Sequence, residues 1–391
     1  MKTLNQAEIK DKTVLLRADY NITLDLNGKI IDDIKIISTL PTIKYLKDQG
    51  AKKIIIISHF GRPIIRPKEK IENIIKGNKN LVMVPIVEKL AQALKINLKK
   101  IKLAYENNFS LPFYKLNDYL LVCENIRFDA REEQNDKTFS YEMSKLADIY
   151  VDDAFGNVHR EHASMVGITN FLPSYAGLLM EKEIKNLTAL LKKPPKPFVL
   201  ILGGAKTSEK IMILKNLVKK ADKILLGGVM ANTFLVGRNI NMKNSLYDRE
   251  SVAFANDLYS SAAGKFFLPT DLVWRGSSAV DISKNTIREF ANVIAEAKTI
   301  FWNGTMGLTS MGNFKYSNGT WAIVKAIADS SAEIKIICGG DTIAEVNKMK
   351  MIRRMTHVST GGGAALAFLA GRDLPAVDAL NSNYIIKKNK S

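Results

Sequence analysis

A chain of 391 residues that is 46% hydrophobic and holds 2 cysteines is long enough for two or three domains of roughly 100–200 residues, and it excludes a disulfide-built secreted scaffold. No apolar run approaches the roughly 20 residues of a membrane span, and Met1 to Glu8 lacks a long apolar signal core, so a soluble cytoplasmic protein that makes no membrane contact is expected. The formal charge of +18 invites a nucleic-acid reading, but the lysines of Lys68 to Lys102 and Lys387 to Lys390 are mixed with Asn and Ile, without base-stacking aromatics or zinc-finger spacing, so a solvated basic surface that steers small anions inward is the expectation.

Short apolar strands alternate with helix-length amphipathic segments. Val14 to Leu16 reads as a strand, and Ser38 to Gln49 has helical spacing that stops at Gly50. Ile54 to Ile57 is a continuous apolar run, the pattern of a parallel strand covered on both faces. Lys68 to Asn80 reads as a solvated loop. Val82 to Leu94 follows as a helix, Tyr119 to Cys123 as a strand, Tyr141 to Ala147 as a helix and Ile149 to Val151 as a strand. Glu181 to Leu191 is a charged amphipathic helix, and Pro194, Pro195 and Pro197 cannot continue it. Beyond them come strand Phe198 to Leu202, helix Ser208 to Lys219, strand Lys223 to Leu226 and helix Met230 to Leu235. Later strands are Lys265 to Phe267, Ile300 to Trp302, Ile334 to Cys338 and Thr356 to Val358. Cys123 and Cys338 end apolar runs and are expected as buried thiols. The rhythm predicts an α/β fold of two domains with largely parallel sheets, divided at the 181–197 helix and proline-rich hinge.

The second half carries glycines at strand ends: Gly203-Gly204, Gly227-Gly228, Gly339-Gly340 and Gly361-Gly362-Gly363. Such turns let backbone N–H groups approach an anion, and a following helix adds unpaired donors. Lys206 and Lys210 are four apart at a helix start, so both ammoniums lie on one side. Asp341-Thr342 supplies hard oxygens suited to Mg²⁺ carried by a nucleotide. The chain lacks the G-x-x-x-x-G-K-[ST] loop and the protein-kinase D-F-G and H-R-D sets, so the site belongs to another class of nucleotide enzyme.

The first half carries cations at strand ends. Arg17-Ala18-Asp19-Tyr20-Asn21 leaves the first strand with Asp and Asn suited to substrate hydroxyls. His59 and Arg62 follow the second strand, Arg127 follows Cys123-Glu124-Asn125-Ile126, and His159, Arg160 and His162 follow the strand through Val151. Strand ends that meet at one sheet edge would gather these groups around a small, highly anionic molecule.

Together the segments Ser58-His59-Phe60-Gly61-Arg62-Pro63, Asp153-Ala154-Phe155-Gly156 with His159-Arg160, Gly203-Gly204-Ala205-Lys206, Gly339-Gly340-Asp341-Thr342 and His357 to Gly363 resemble the phosphoglycerate kinase family, in the family's order and over nearly the whole chain. The resemblance implies two Rossmann-like domains facing a cleft. Residues 1–180 would bind 3-phosphoglycerate or 1,3-bisphosphoglycerate, 198–370 would bind Mg-ADP or Mg-ATP, and the 371–391 tail would pack back on the first domain. Asp19 and Asn21 would hold the glycerate, while His59, Arg62, Arg127 and Arg160 grip its phosphate. Lys206, Lys210 and Asn303 would meet the nucleotide phosphates, with the glycine turns at Gly203, Gly227 and Gly340 around them. Gly361 and Gly362 would cradle the moving group. Asp341 would attend Mg²⁺ and Thr342 the phosphates. The implied activity is reversible in-line phosphoryl transfer by a monomeric glycolytic kinase, an ATP-dependent phosphotransferase with a carboxyl group as acceptor.

Three positions depart from the family pattern. Where the family places an arginine on the transferring phosphoryl, this chain has Lys35, which keeps the charge and loses the planar fork. The family's Asn-Gly-Pro-Met-Gly run is Asn303-Gly304-Thr305-Met306-Gly307, and the carboxylate that would hold the ribose is replaced by Ser310. Two classes therefore stay open: an active kinase, and a catalytically weakened relative that binds anions or nucleic acid. Retention of Lys206, Lys210, Asp341, Arg62, Arg127 and Arg160 favours the active kinase.

Overall fold

The structure is a computed structural model and describes residues 1–66, 68–98, 102–104, 106–205, 207–309 and 316–382. It divides into two compact units, one of Met1–Ile184 together with the residues from Asp373 on, the other Lys185–Arg372.

The first unit holds β1 (Thr13–Arg17), α1 (Ile34–Asp48), β2 (Lys53–Ile57), α2 (Ile71–Gly77), α3 (Val84–Ala93), β3 (Lys102–Ala104), β4 (Phe113–Lys115), β5 (Leu120–Cys123), α4 (Lys137–Ser144), β6 (Ile149–Asp152) and β7 (Ser174–Ala176). Its seven strands lie in the order β3-β4-β5-β2-β1-β6-β7. From β5 to β7 all pairings are parallel, while β3 and β4 add an antiparallel edge. The four central strands are buried almost end to end, so both sheet faces are covered, which is why they read as unbroken apolar runs.

Among the elements that differ from the sequence expectation are α1 and α2. α1 starts at Ile34 rather than Ser38, because the buried stripe Ile36, Thr39, Ile43, Leu46 begins a turn earlier, and it runs through Pro41. Lys35 thereby falls in its first turn. The stretch Lys68 to Asn80 is not a loop throughout: α2 occupies Ile71–Gly77 and buries Ile74. Asn78 closes that helix, donating from Nδ2 to Ile74 O at 2.9 Å.

α5 (Leu178–Leu191) contains the division between the units. The second unit continues with β8 (Phe198–Leu202), α6 (Thr207–Leu217), β9 (Lys223–Leu226), α7 (Gly228–Gly237), α8 (Val252–Ser261), β10 (Phe266–Phe267), β11 (Leu272–Arg275), β12 (Ser278–Ile282), α9 (Lys284–Ala295), β13 (Thr299–Asn303), α10 (Asn318–Asp329), β14 (Ile334–Cys338), α11 (Gly340–Lys348), β15 (His357–Ser359) and α12 (Gly363–Leu369). Its six-stranded sheet has the order β10-β9-β8-β13-β14-β15, parallel throughout, and β11 and β12 form a separate antiparallel pair. α13 (Pro375–Ser382) returns to the first unit, where the Ala376 N–H donates to Val158 O at 3.1 Å. Residues 383–391 of the expected tail lie outside the described residues. Cys123 and Cys338 are buried and form no disulfide. Among the described residues, no helix is long and apolar enough to cross a membrane.

Candidate active site

In each sheet the chain order reverses beside the first strand laid down, between β1 and β6 in one and between β8 and β13 in the other. Open parallel sheets bind ligands outside the carboxyl ends of their strands at such a reversal. The segments singled out in the sequence leave these strand ends.

At the first reversal, β1 ends at Arg17 and Asp19 follows, only 8% exposed. Lys35 Nζ lies 2.7 Å from Asp19 Oδ2 and also donates to Asn21 O at 3.1 Å. Burial opposes the Asp19 charge, but Lys35, His59 and the Asn21 N–H together hold the carboxyl at about 2. Asn21 is exposed, and its Oδ1 accepts from the Gly61 N–H at 2.9 Å. Gly61 O in turn accepts from Arg127 Nη1 at 2.9 Å. The turn that carries Arg62 is thus clamped from two sides, with Arg62 itself exposed.

Arg127 is buried, and its Nε lies 3.0 Å from Glu133 Oε1. Burial lowers its pKa to about 10; Glu133 opposes the shift, while the neighbouring charges of Arg160 and Arg17 reinforce it. Arg127 Nη2 is buried without a hydrogen-bond partner among the described residues. A buried donor left unmade costs roughly 1–3 kcal/mol, which an anionic ligand would recover. Arg160 is half-buried and His159 exposed. Burial first, then the charges of Arg17, Arg127 and Arg160, push His162 down to about 3. His59 is buried with Nδ1 3.3 Å from Arg17 Nη2. His59, Arg127, Arg160 and His162 are therefore near one another and near Arg17, with the imidazoles neutral among guanidiniums, while nothing ties the exposed Arg62 side chain to them.

At the second reversal, two glycine turns interlock. The Gly203 N–H donates to Asn303 O at 2.9 Å, Gly204 to Thr305 O at 2.7 Å, and Gly228 to Met306 O at 3.0 Å. A β-carbon on Gly203 would fall 2.3 Å from Thr305 O, and one on Gly304, whose φ is +93°, would fall 2.1 Å from Gly203 O. The sequence expectation was that Gly203 and Gly227 expose their own N–H groups. Both are instead spent inside the sheet end, Gly227 on Leu202 O at 2.9 Å. These glycines let two backbone turns touch.

Lys210 is buried and donates from Nζ to Gly203 O. Asn303 Nδ2 donates to Cys338 O at 3.0 Å, and Thr342 Oγ1 accepts from the Gly304 N–H at 2.8 Å. Gly340 and Asp341 are exposed at the start of α11, where a helix has N–H groups without intrahelical acceptors. Gly361 and Gly362 precede α12, with Gly362 at φ +49°. Lys206 and Ser310 lie outside the described residues.

A cavity of about 340 Å³ opens beside these turns, lined among others by Gly204, Asn232, Leu246, Asp281, Met306 and Asp341. Gly204, Met306 and Asp341 belong to segments singled out in the sequence, while Asn232, Leu246 and Asp281 were not anticipated, since they come from separate segments with no motif of their own. Asp248 was also missed: its Oδ2 accepts from Thr207 Oγ1 and Ser251 Oγ, both at 2.6 Å, tying the start of α6 to the cavity wall. Among the described residues, no three His, Cys, Asp or Glu side chains are grouped to hold a metal. Asp341, one exposed carboxylate at the cavity, suits a cation that arrives with phosphate oxygens of its own.

The family model described as phosphoglycerate kinase matches residues 4–372. The chain belongs to this family. The phosphoglycerate kinase of Roseiflexus sp. (strain RS-1) is 40% identical over 409 residues, covering 97% of this chain and 99% of that protein. That of Clostridium botulinum (strain Hall) is 38% identical over 410 residues, covering 97% and 98%. Among solved structures, phosphoglycerate kinase from Coxiella burnetii matches with a TM-score of 0.80 at 32% identity, covering 98% of this chain and 99% of that one. The enzyme from Pyrococcus horikoshii OT3 gives 0.81 at 29%, with the same coverage. The family is one of kinases, and the mixed α/β fold with two mostly parallel sheets is that of its members.

Proposed function

We propose that this protein catalyses reversible phosphoryl transfer from 1,3-bisphosphoglycerate to Mg-ADP, giving 3-phosphoglycerate and Mg-ATP. The reading is supported by family membership. The observation that carries it at the site is the buried, unpartnered Arg127 Nη2 in a cluster of cations. Such a cluster fits a small anion with several charges.

In this reading Arg127, Arg160, Arg62 and the neutral His59 grip the phosphate ester, and Asp19 and Asn21 orient the glycerate. Lys206 and Lys210 meet the nucleotide phosphates, with Asn303, Thr342 and the turns at Gly203, Gly227 and Gly340 shaping their seat. The nucleoside fills the cavity between Gly204 and Leu246. Mg²⁺, held through Asp341, neutralises phosphate oxygens when bound with the nucleotide. Lys35 and Lys206 neutralise the phosphoryl in flight, and Gly361 and Gly362 give it room. A β-phosphate oxygen of ADP forms the new P–O bond as the acyl-phosphate O–P bond breaks. The electron pair leaves on the carboxylate, so the step needs no proton and no covalent enzyme intermediate. Catalysis is then positioning and charge stabilisation, with water kept from the reacting groups. One chain carries both sites, so a monomer suffices, and the reaction belongs in the cytoplasm. No observation favours the alternative of a binding protein without turnover.

A coupled assay tests this reading. ADP formation from Mg-ATP should depend on 3-phosphoglycerate and should reverse with acyl phosphate and ADP. Folded protein with Mg²⁺ and no turnover in either direction would overturn it.

A further inference from the structure

Arg17 has no part in the mechanism above, yet it is 0% exposed at the carboxyl end of β1. Its Nε donates to Ser164 Oγ at 2.8 Å, and Nη1 donates to Ala18 O. Behind it, the Ser164 hydroxyl donates to Glu132 Oε1 at 2.6 Å and the Ser164 N–H to Oε2 at 2.9 Å. Glu132 is also fully buried, so the guanidinium has a carboxylate one hydroxyl away. A buried cation persists only when so compensated.

The remaining contact decides a proton. Nη2 of Arg17 lies 3.3 Å from His59 Nδ1. A guanidinium only donates, and a neutral imidazole has one donor and one acceptor nitrogen. Nδ1 is therefore the acceptor, and the ring proton is on Nε2. The groups facing His59 are Arg17 at the end of β1, Asp19 after it, Lys35 on α1 and Arg127 after β5. Three cations against one carboxylate disfavour an imidazolium. Burial first, then Arg17, lower the His59 pKa well below its ordinary value.

We propose that Arg17 is a positioning residue that locks His59 as the neutral Nε2–H tautomer, so that the imidazole offers the substrate phosphate one uncharged donor in a fixed direction. This rests on the proposed function, which puts His59 on that phosphate. Three properties follow. His59 cannot act as a general acid in this site. Its contact with substrate does not depend on its own titration between about pH 5.5 and 8. Arg17 acts through His59 and is distinct in role from Arg62, Arg127 and Arg160.

The test is long-range ¹H–¹⁵N correlation on ¹⁵N-histidine-labelled protein. The chain has 4 histidines, and His59→Gln identifies the signal. Wild type should show His59 protonated on Nε2 with no titration from about pH 8 to 5.5, and adding 3-phosphoglycerate should shift Nε2. Arg17→Met should release the tautomer, let His59 titrate and raise the 3-phosphoglycerate KM roughly ten- to a hundredfold, with ADP affinity unchanged. Arg17→Gln, which keeps a donor, should restore the Nε2–H form in part. A wild-type His59 protonated on Nδ1, or titrating with an ordinary pKa, would overturn the proposal even if neither variant folds. So would an Arg17→Met protein with unchanged tautomer, titration and KM. A locked tautomer that 3-phosphoglycerate does not shift would sink the site assignment instead and leave the lock standing.

Discussion

At the end of β1 the candidate ligand groups are side chains held by other buried side chains, with Lys35 on Asp19, Arg127 on Gly61 O and Glu133, and His59 against Arg17. At the end of β8 the work is done by backbone. Gly203, Gly204, Gly228 and Gly304 bring two turns into contact, and Lys210 leans on Gly203 O. The two reversals are topologically alike, yet they fail in different ways. Removing a charge should damage the first, and adding a β-carbon should damage the second. A small rigid anion needs converging charges, which side chains supply; a long flexible polyphosphate beside a nucleoside needs surface and clearance, which backbone supplies.

The largest expected effect tests the side-chain half. Lys35→Ala should lower kcat by roughly 10³ or more while ADP affinity stays put, because the proposed function gives this cation the transition-state charge. Lys35→Arg should raise kcat, by less than the roughly 10³–10⁵ that a new arginine gives where no cation stood. Single-turnover rates with both substrates saturating read this. A Lys35→Ala protein near wild type would move that role to Lys206 or Arg160. Next, Lys206→Ala should cost roughly 10²–10³ in kcat with little change in thermal midpoint. Near-native turnover would make Lys206 an ordinary surface charge and leave Lys210 as the lysine of the second site.

Smaller effects sharpen the contrast. Ser310→Glu should lower the KM for ATP, by an interaction worth roughly 1.5–3 kcal/mol at best, with kcat little changed. An unmoved KM would mean that another group holds the ribose. The last concerns pH. Burial, opposed in part by hydrogen bonds, pushes both Asp152 and Asp153 to about 7 from 3.8. Carboxyls raised on folding give stability that is present below the unfolded value and lost as pH rises through the folded one. Asp19, depressed to about 2, acts oppositely, since its contribution is present above 3.8 and lost as pH falls toward 2. Stability of the first unit should therefore decline between about pH 4 and 7. Asp152→Asn should flatten the decline and stabilise at pH 8 by roughly 1–3 kcal/mol in urea melts. A steeper decline in the variant would show that the charged form is the better-held one.

How much of this was legible in the sequence depended on whether the information was local. Ile54 to Ile57 and Phe198 to Leu202 announced buried parallel strands because every residue is apolar. α2 was hidden among lysines, since three isoleucines and a capping Asn78 are a faint signal in a charged stretch. The short antiparallel β3 and β4 gave no readable period. The cations at strand ends were legible because parallel strands share an edge. The cavity walls at Asn232, Leu246 and Asp281 and the Thr207–Asp248 tether were not, because they join residues tens of positions apart with no pattern linking them. Arg17 was visible as a charge closing an apolar strand, but its partner His59 is set by pairing of β1 with β2, which no local rule states. At Gly203-Gly204 and Gly227-Gly228 the reason differs from the one read in the sequence: their N–H groups bond within the sheet end and the facing turn, and their missing side chains are what let the turns meet.

The most direct measurement is a crossed calorimetric titration of 3-phosphoglycerate and Mg-ADP into wild type, Arg127→Ala and Gly304→Ala. The account predicts that wild type binds both. Arg127→Ala should lose 3-phosphoglycerate by roughly a hundredfold and keep Mg-ADP, because a buried charge-assisted donor is gone. Gly304→Ala should keep 3-phosphoglycerate and lose Mg-ADP, because a β-carbon at φ +93° collides with Gly203 O. If both variants lost both ligands, or if Gly304→Ala bound Mg-ADP as wild type does, the two sites would not be the separately built halves described above.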